Sequence, residues 1–466
     1  LVRDRSEFQM QKILAIAWLT WKAALRFRLF TVIAALLVLA VVGLPLIVKD
    51  DGTAAGFTQI ILTYTLSAVT LLLGISTLWL SCGSLARDIE ECQIQVIATK
   101  PIARWQIWLG KWFGIGSLNA VLLLLAGACI YGLLEWRASR LPAAEQKELR
   151  QQVLVARGLA KEQNYDAEID QETETVLQNR LKTSPVTTAD LPEVRQQIRE
   201  QVKSDYQLVP PGYTREWKID LGYDKSYLAG KPMQLRIKFN AADHNPSGTF
   251  VGLWQIGDPE AKKFVQLPPM AGLAPDTFHE FPIPPDLYDS KGVLTIVFLN
   301  ENNAALLFPL EDGMQVLYPQ GSFTLNFLRA LGIIFCWLLL LASIGLMAAS
   351  FLSFPVAAFF SMALLAVAFS GGTLAENLNL GSPTPGVPAS HSLGDLITIP
   401  LFTGVLDVLN LAENFSPIDA LSTGRSIPWS ELGRAFGQIV GMLGGSFVVS
   451  GIFFFSRREL ATAQNQ

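Results

Sequence analysis

FTLNFLRALGIIFCWLLLLASIGLMAASF, residues 323–351, runs for 29 residues with Arg329 as its one charge. A hydrocarbon core about 30 Å thick takes roughly 20 apolar residues of helix, so this stretch can cross a membrane whole. Four more runs qualify outright: Leu29–Val48, Phe57–Leu80, Trp112–Trp136 and Phe436–Phe455. A sixth, Phe354–Ser370, is short but uncharged, and the FLSFP junction at Pro355 separates it from the stretch quoted first. Proline lacks an N–H and disfavours helix in the residue before it, so two antiparallel helices are expected there rather than one. Composition agrees. The 466 residues are 50% hydrophobic and only 16% charged, with a mean hydropathy of +0.34, whereas a soluble chain carries about a quarter charged residues. The chain reads as an α-helical membrane protein with six transmembrane helices and an inserted α+β domain.

Lysine and arginine set the orientation of such a chain. They gather before the first run (Arg3, Arg5, Lys12, Lys22, Arg26, Arg28), between the second and third (Arg87, Lys100, Arg104, Lys111) and after the last (Arg457, Arg458). Six spans put all three places on one side, the cytoplasm, with both termini there and residues 137–321 outside. The trio Trp105, Trp108 and Trp112 suits an interfacial belt on the cytoplasmic side. Leu396–Leu411 is apolar but holds Pro400, Gly404 and Asp407. A seventh span would put Arg457 and Arg458 outside, so the wider segment 372–432 is expected to be re-entrant or interfacial. Ahead of the first span, Leu14, Trp18, Trp21 and Leu25 recur at helical spacing, with Lys12, Lys22 and Arg26 largely off that stripe. This predicts a helix in the inner interface, cations toward anionic lipid.

The domain division is 1–136, 137–212, 213–321 and 322–466. Residues 137–212 mix acids and bases with good helix formers and predict two or three solvated helices, with a break near TSPVTTADLPE. From LVPPGY onward, short alternating runs begin: Trp217, Ile219 and Leu221 against Glu216, Lys218 and Asp220, then Leu235, Ile237 and Phe239 against Gln234, Arg236 and Lys238. Roughly eight strands of this kind predict an antiparallel β-sandwich over 213–321. All four cysteines (Cys82, Cys92, Cys129, Cys336) lie in or beside apolar runs, so no disulfide framework can be read.

The net charge of -4 offers no basic surface for nucleic acid. No P-loop motif is present: at Gly110-Lys111, Trp105 stands where the first glycine belongs and Trp112 where Ser or Thr belongs. No metalloprotease or hydrolase motif occurs either, and the three histidines (His244, His279, His391) suit turns or surfaces better than metal ligands. The chain is expected to be no enzyme and to hold no cofactor or metal. The span centres also lack the ionisable groups that ion-coupled carriers place at mid-membrane, so energy for transport must come from elsewhere.

The informative stretch is ARDIEECQIQVIATKPIARWQIWLGKW, residues 86–112. Ile89, Ile94 and Ile97 oppose Arg87, Asp88, Glu90 and Glu91, which predicts an acidic amphipathic helix, followed by K-P-I-A-R and then Leu-Gly-Lys at the mouth of the next span. The stretch resembles the permease subunit of ABC-2 type exporters, in which a coupling helix precedes a P-x-x-R turn and a G-K at the start of the third span. Pro101, Arg104, Gly110 and Lys111 match that pattern. ENFSPIDALSTG after the fifth span and the ending FFFSRRELA fit as well, and the large insert between spans three and four departs from it. The resemblance implies a cell (inner) membrane location, a cytoplasmic P-loop ATPase partner that binds ATP and magnesium, and a second permease copy or paralogue. It also implies coupling or ATPase docking by Arg87, Asp88, Glu90, Glu91, Ile94, Ile97, Pro101, Arg104, Gly110 and Lys111. The rival of a different class is a membrane-anchored sensor or glycan-binding adaptor that uses the outer sandwich.

Overall fold

The computed structural model describes residues 2–26, 29–47, 54–91, 102–183, 191–222, 225–241, 248–258, 263–267, 270–289, 291–369 and 415–458. The helices longer than one turn are, in chain order, α1 (Val2–Arg26), α2 (Leu29–Ile47), α3 (Ala54–Glu90), α4 (Arg104–Ala138), α5 (Ala143–Gln152), α6 (Asp166–Thr183), α7 (Leu191–Gln207), α8 (Phe323–Phe351), α9 (Phe354–Phe369), α10 (Pro417–Ser422), α11 (Trp429–Ala435) and α12 (Gly445–Arg457). Two compact units result: Leu1–Val155 with Ser322–Gln466, and Ala156–Gly321.

In the first unit, four helices are long and apolar enough to cross a membrane: Gly56–Glu90, Arg104–Ala138, Phe323–Phe351 and Trp429–Arg457. The last of these joins α11 to α12 through a π-helical stretch, Phe436–Gly444. The described parts of α1 and α2 count as a fifth only if taken as one bent pair, inclined by 69°, and Phe354–Ala366 in α9 is a shorter apolar helix. Helices α2 and α9 stand where the first and fifth spans are expected. Helix α8 lies at the centre, with 72% of its apolar window buried against 22% for the last span. Small residues permit this. Ala342, Ala348 and Ala349 are fully buried, and at Gly345 a Cβ would overlap Ser81 of α3. Close backbone approach of this kind is how helices pack where lipid is as apolar as leucine.

Two helices outrun their apolar runs. A helix of 35 residues, the length of α4 and of the Gly56–Glu90 stretch, reaches about 52 Å at 1.5 Å per residue, well beyond the hydrocarbon thickness. The separate acidic helix expected after the second span is therefore absent from its first part: residues 84–90 continue α3. No glycine or proline interrupts SLARDIE to end the helix sooner. Segment 396–411 lies outside the described residues.

Helix α1 packs on the bundle along one face and leaves another exposed. Ile13, Ile16, Ala17, Thr20 and Ala24 are buried, while Leu14, Trp18 and Leu25 stay exposed. The buried face meets α4 at two glycines. A Cβ on Gly110 would sit 2.6 Å from Ile16 Cβ, and one on Gly114 would sit 2.8 Å from Thr20 Cβ. With Trp21 Nε1 donating to Ser117 Oγ at 2.8 Å, the contacts climb both helices together. Helix α1 thus runs alongside α4 in the same direction.

The second unit is built on two antiparallel sheets. One has the order β1 (Val155–Lys161), β12 (Met314–Ser322), β4 (Met233–Ile237), β9 (His279–Ile283); the other runs β3 (Thr214–Asp220), β10 (Val293–Leu299), β6 (Phe250–Asp258), β7 (Lys263–Gln266), with β8 (Met270–Leu273) also on β6. A third small sheet joins β2 (Leu208–Val209), β11 (Leu306–Leu307) and β5 (Asn240–Ala241). Ile296 pairs with Trp217 on one side and Ile256 on the other, so alternate residues of three strands enter one core with Leu235, Ile237 and Phe239. The alternation read for β3 holds. On β4 it fails, because Arg236 is buried as well: its guanidinium lies 3.7 Å from the Phe278 ring centroid, and Nε is 3.8 Å from Glu280.

The expected boundary at residue 213 does not match the packing. Strand β1 edges the first sheet and its Ala160 enters the core, while Val209 of β2 pairs with Leu306. The unit begins at Ala156, and α5 belongs with the membrane helices. Helices α6 and α7 stand on either side of the expected break and pack together through Ile169, Leu177, Ile198 and Val202 and through Arg199 Nε donating to Asp170 at 2.8 Å.

Candidate functional site

Of the residues singled out between the second and third apolar runs, Arg87, Asp88, Glu90, Arg104 and Lys111 lie at one end of the first unit. Helix α4 starts after an extended Ala103, whose N–H donates to Gln106 Oε1 at 3.0 Å. That contact satisfies one donor at the helix start. Arg104 then reaches across to the end of the last span. Its Nη1 donates to the carbonyls of Phe455, Ser456 and Arg458 at 3.2, 2.8 and 2.8 Å. A guanidinium is well suited to terminal carbonyls, which have no partner in their own helix and carry the negative end of its dipole. Arg458 extends the chain of contacts, donating to Ala349 and Ser350 carbonyls at 3.5 and 3.3 Å at the end of α8.

The end of α3 is held in a similar way. Glu90 Oε1 accepts the Phe354 N–H at 2.9 Å, giving the first turn of α9 the acceptor it lacks. The Arg87 guanidinium lies 4.5 Å from the Phe354 ring centroid. Lys111, 7% exposed, pairs with Asp88 at 2.5 Å and donates to the Ser84 carbonyl at 2.6 Å. This contact joins α3 to α4 just behind the loop. Below it, Trp108 is fully buried, donates to Ser350 Oγ at 3.3 Å, and leaves no room for a Cβ on Gly451.

Several expectations change here. Ile89 is half-buried against the chain's own cluster of Trp108, Leu346 and Phe455, so it is not part of an outward apolar face. Trp108 and Trp112 anchor helices instead of forming a belt, Trp112 Nε1 donating to Ser343 Oγ at 2.9 Å; Trp105 is the exposed one of the three. Gly110 acts by its lack of a side chain, toward α1. Arg87, Glu90 and Glu91 are exposed and Asp88 half-buried. Ile94, Ile97 and Pro101 lie outside the described residues. Sequence reasoning missed Phe354, Ser84 and Gln106 as partners. Only Gln106, three residues after the cap residue Ala103, carries a signal in the sequence.

Among the described residues, no group of three His, Cys, Asp or Glu side chains could hold a metal ion. His279 opens strand β9, where it pairs with Ile237, and its Nε2 lies 2.9 Å from the Ala274 carbonyl and 3.1 Å from Thr277 Oγ1. Glu90 and Arg104, the described side chains on either side of segment 92–101, thus bond to the start of α9 and to the end of the last apolar helix, and Arg458 carries the contact on to the end of α8. Compared with protein-family models, curated proteins and solved structures, the chain matches none of them.

Proposed function

We propose that the chain is the membrane-spanning permease subunit of an ABC-2 type, ATP-driven exporter. In this reading it has six spans, with α2 first and α9 fifth, both termini in the cytoplasm and the Ala156–Gly321 unit outside. A separate P-loop ATPase supplies ATP hydrolysis, and a second permease copy or paralogue completes the pathway.

One observation carries the reading: Glu90 and Arg104, on the two flanks of the loop, bond to helices from different parts of the chain. A push on that loop is delivered to the start of α9 and to the end of the last span together. Lys111–Asp88 keeps α3 and α4 from separating under the same load. The closing ATPases would supply the push, with Ile94 and Ile97 seated in a groove of the ATPase and the acidic residues at its rim. Burial of such apolar anchors dominates the energy of a docking contact, whereas rim charges chiefly tune its rate.

The test is co-purification from native membranes, with ATPase activity measured alongside. Wild type should hold a P-loop ATPase and stimulate it, and Ile94→Asp should insert normally but lose both. An Ile94→Asp chain that holds and stimulates the ATPase like wild type would remove the loop from this role. If wild type holds no ATPase, the sensor or adaptor function of the outer unit takes precedence.

A further inference from the structure

We propose that α1 is a binding surface for anionic phospholipid headgroups, with Lys22 and Arg26 as the headgroup contacts and Leu14, Trp18 and Leu25 as the apolar anchor. The proposal does not depend on the exporter reading. It rests on α1 having three distinct faces. The first, from Ile13 to Ala24, is used up by packing on the bundle at Gly110 and Gly114. The second is an exposed apolar stripe: Leu14 and Trp18 are each 59% exposed and Leu25 is 47% exposed. At 100° per residue these three fall within about 40° of one another on the helix.

The third face holds Lys22 and Arg26, both exposed, on the edge next to Trp18. Lys22 Nζ lies 5.8 Å from the Trp18 ring centroid. Between Gln9 and Arg26 the sequence has Lys12, Lys22 and Arg26 and no acidic residue, so this edge selects for negative charge. Its position selects for a lipid surface. Arg26 ends α1 just before the uncharged helix α2 begins at Leu29. Cations placed there, beside a tryptophan, sit where an apolar span gives way to headgroups. A long lysine or arginine stem can lie along the apolar stripe while its head stays at the phosphate level. The grip on Gly110 and Gly114 keeps α1 fixed to α4, so the lipid contact is made by a rigid part of the molecule.

The experiment is native mass spectrometry of the detergent-purified full chain, titrated separately with phosphatidylglycerol and phosphatidylcholine. Wild type should bind phosphatidylglycerol more tightly. Lys22→Gln/Arg26→Gln should weaken phosphatidylglycerol about tenfold or more and leave phosphatidylcholine unchanged, since each basic residue near an anionic surface contributes roughly fivefold. The equally charge-changing Lys263→Gln/Lys291→Gln, on the other unit, should keep the preference. Trp18→Ser retains the charges and should weaken both lipids. An unaltered preference in the Lys22/Arg26 variant, no preference in wild type, or unaltered binding in Trp18→Ser would each overturn the proposal. Displacement of the lipid by equimolar inorganic phosphate would mark a free-anion site instead, and would overturn the lipid assignment.

Discussion

Lys111 shows how a residue read for function can serve first as structure. Its ammonium is 7% exposed and faces Asp88, itself 24% exposed, and the Ser84 carbonyl. Removing one partner of a buried pair leaves an uncompensated charge, which costs about 3–5 kcal/mol. Because Asp88 is partly wetted, Lys111→Ala should fall near the lower end. Chemical unfolding in detergent of Lys111→Ala, Asp88→Ala and the double variant should give a coupling energy of about 1–3 kcal/mol; additive losses would mean the two charges act separately. At the same scale, Glu162 sets a pH dependence in the Ala156–Gly321 unit. Burial pushes its carboxyl above the ordinary 4.5, and Arg215, Tyr165 and Trp217 offset this only in part. An acid with a raised folded value gives its full stability below the ordinary value and loses it as pH rises through the raised one. Wild type should therefore lose stability relative to Glu162→Gln as pH climbs from the ordinary carboxylate range, read by thermal melts across pH. A flat difference would show that Arg215 fully compensates the buried charge.

At the scale of elements, the four longest apolar helices and strands β3 and β10 were legible from their apolar runs and their alternation. Helix α8 is apolar all round and ends at FLSFP; β3 buries Trp217, Ile219 and Leu221 and exposes Glu216, Lys218 and Asp220. Helix ends were not legible. Local sequence says that SLARDIEE can be helical, and only tertiary contacts decide that residues 84–90 belong to α3. Strand β1 was hidden for a related reason: VARGLAK has weak alternation, and its place beside β12 depends on residues over 150 positions away. Arg104 was legible as important, but its partners were not, because backbone carbonyls at a distant helix end leave no mark in the sequence. The element boundaries carry a direct consequence. Ala156–Gly321 expressed alone should unfold cooperatively, while a piece starting at Tyr213 lacks β1 and β2 and should be several kcal/mol less stable or fail to fold. Equal stability of the two pieces in urea would show that the strands before Tyr213 contribute little.

For the whole molecule, the contacts make one end of the membrane unit a junction. Arg104 and Arg458 link the start of α4 to the ends of α12 and α8, Glu90 holds the start of α9, and Lys111–Asp88 ties α3 to α4. In the proposed account this end faces the cytoplasm and receives force from an ATPase. The most direct measurement is a photocrosslinker placed at Ile94 in the full chain within intact, sided membrane vesicles, with Asp289→Cys labelled as the reference for the opposite face. The account predicts a crosslink to a P-loop ATPase from the cytoplasmic face, and labelling of Asp289→Cys only from outside. A crosslink to lipid alone, or position 94 and Asp289→Cys reachable from the same face, would contradict it.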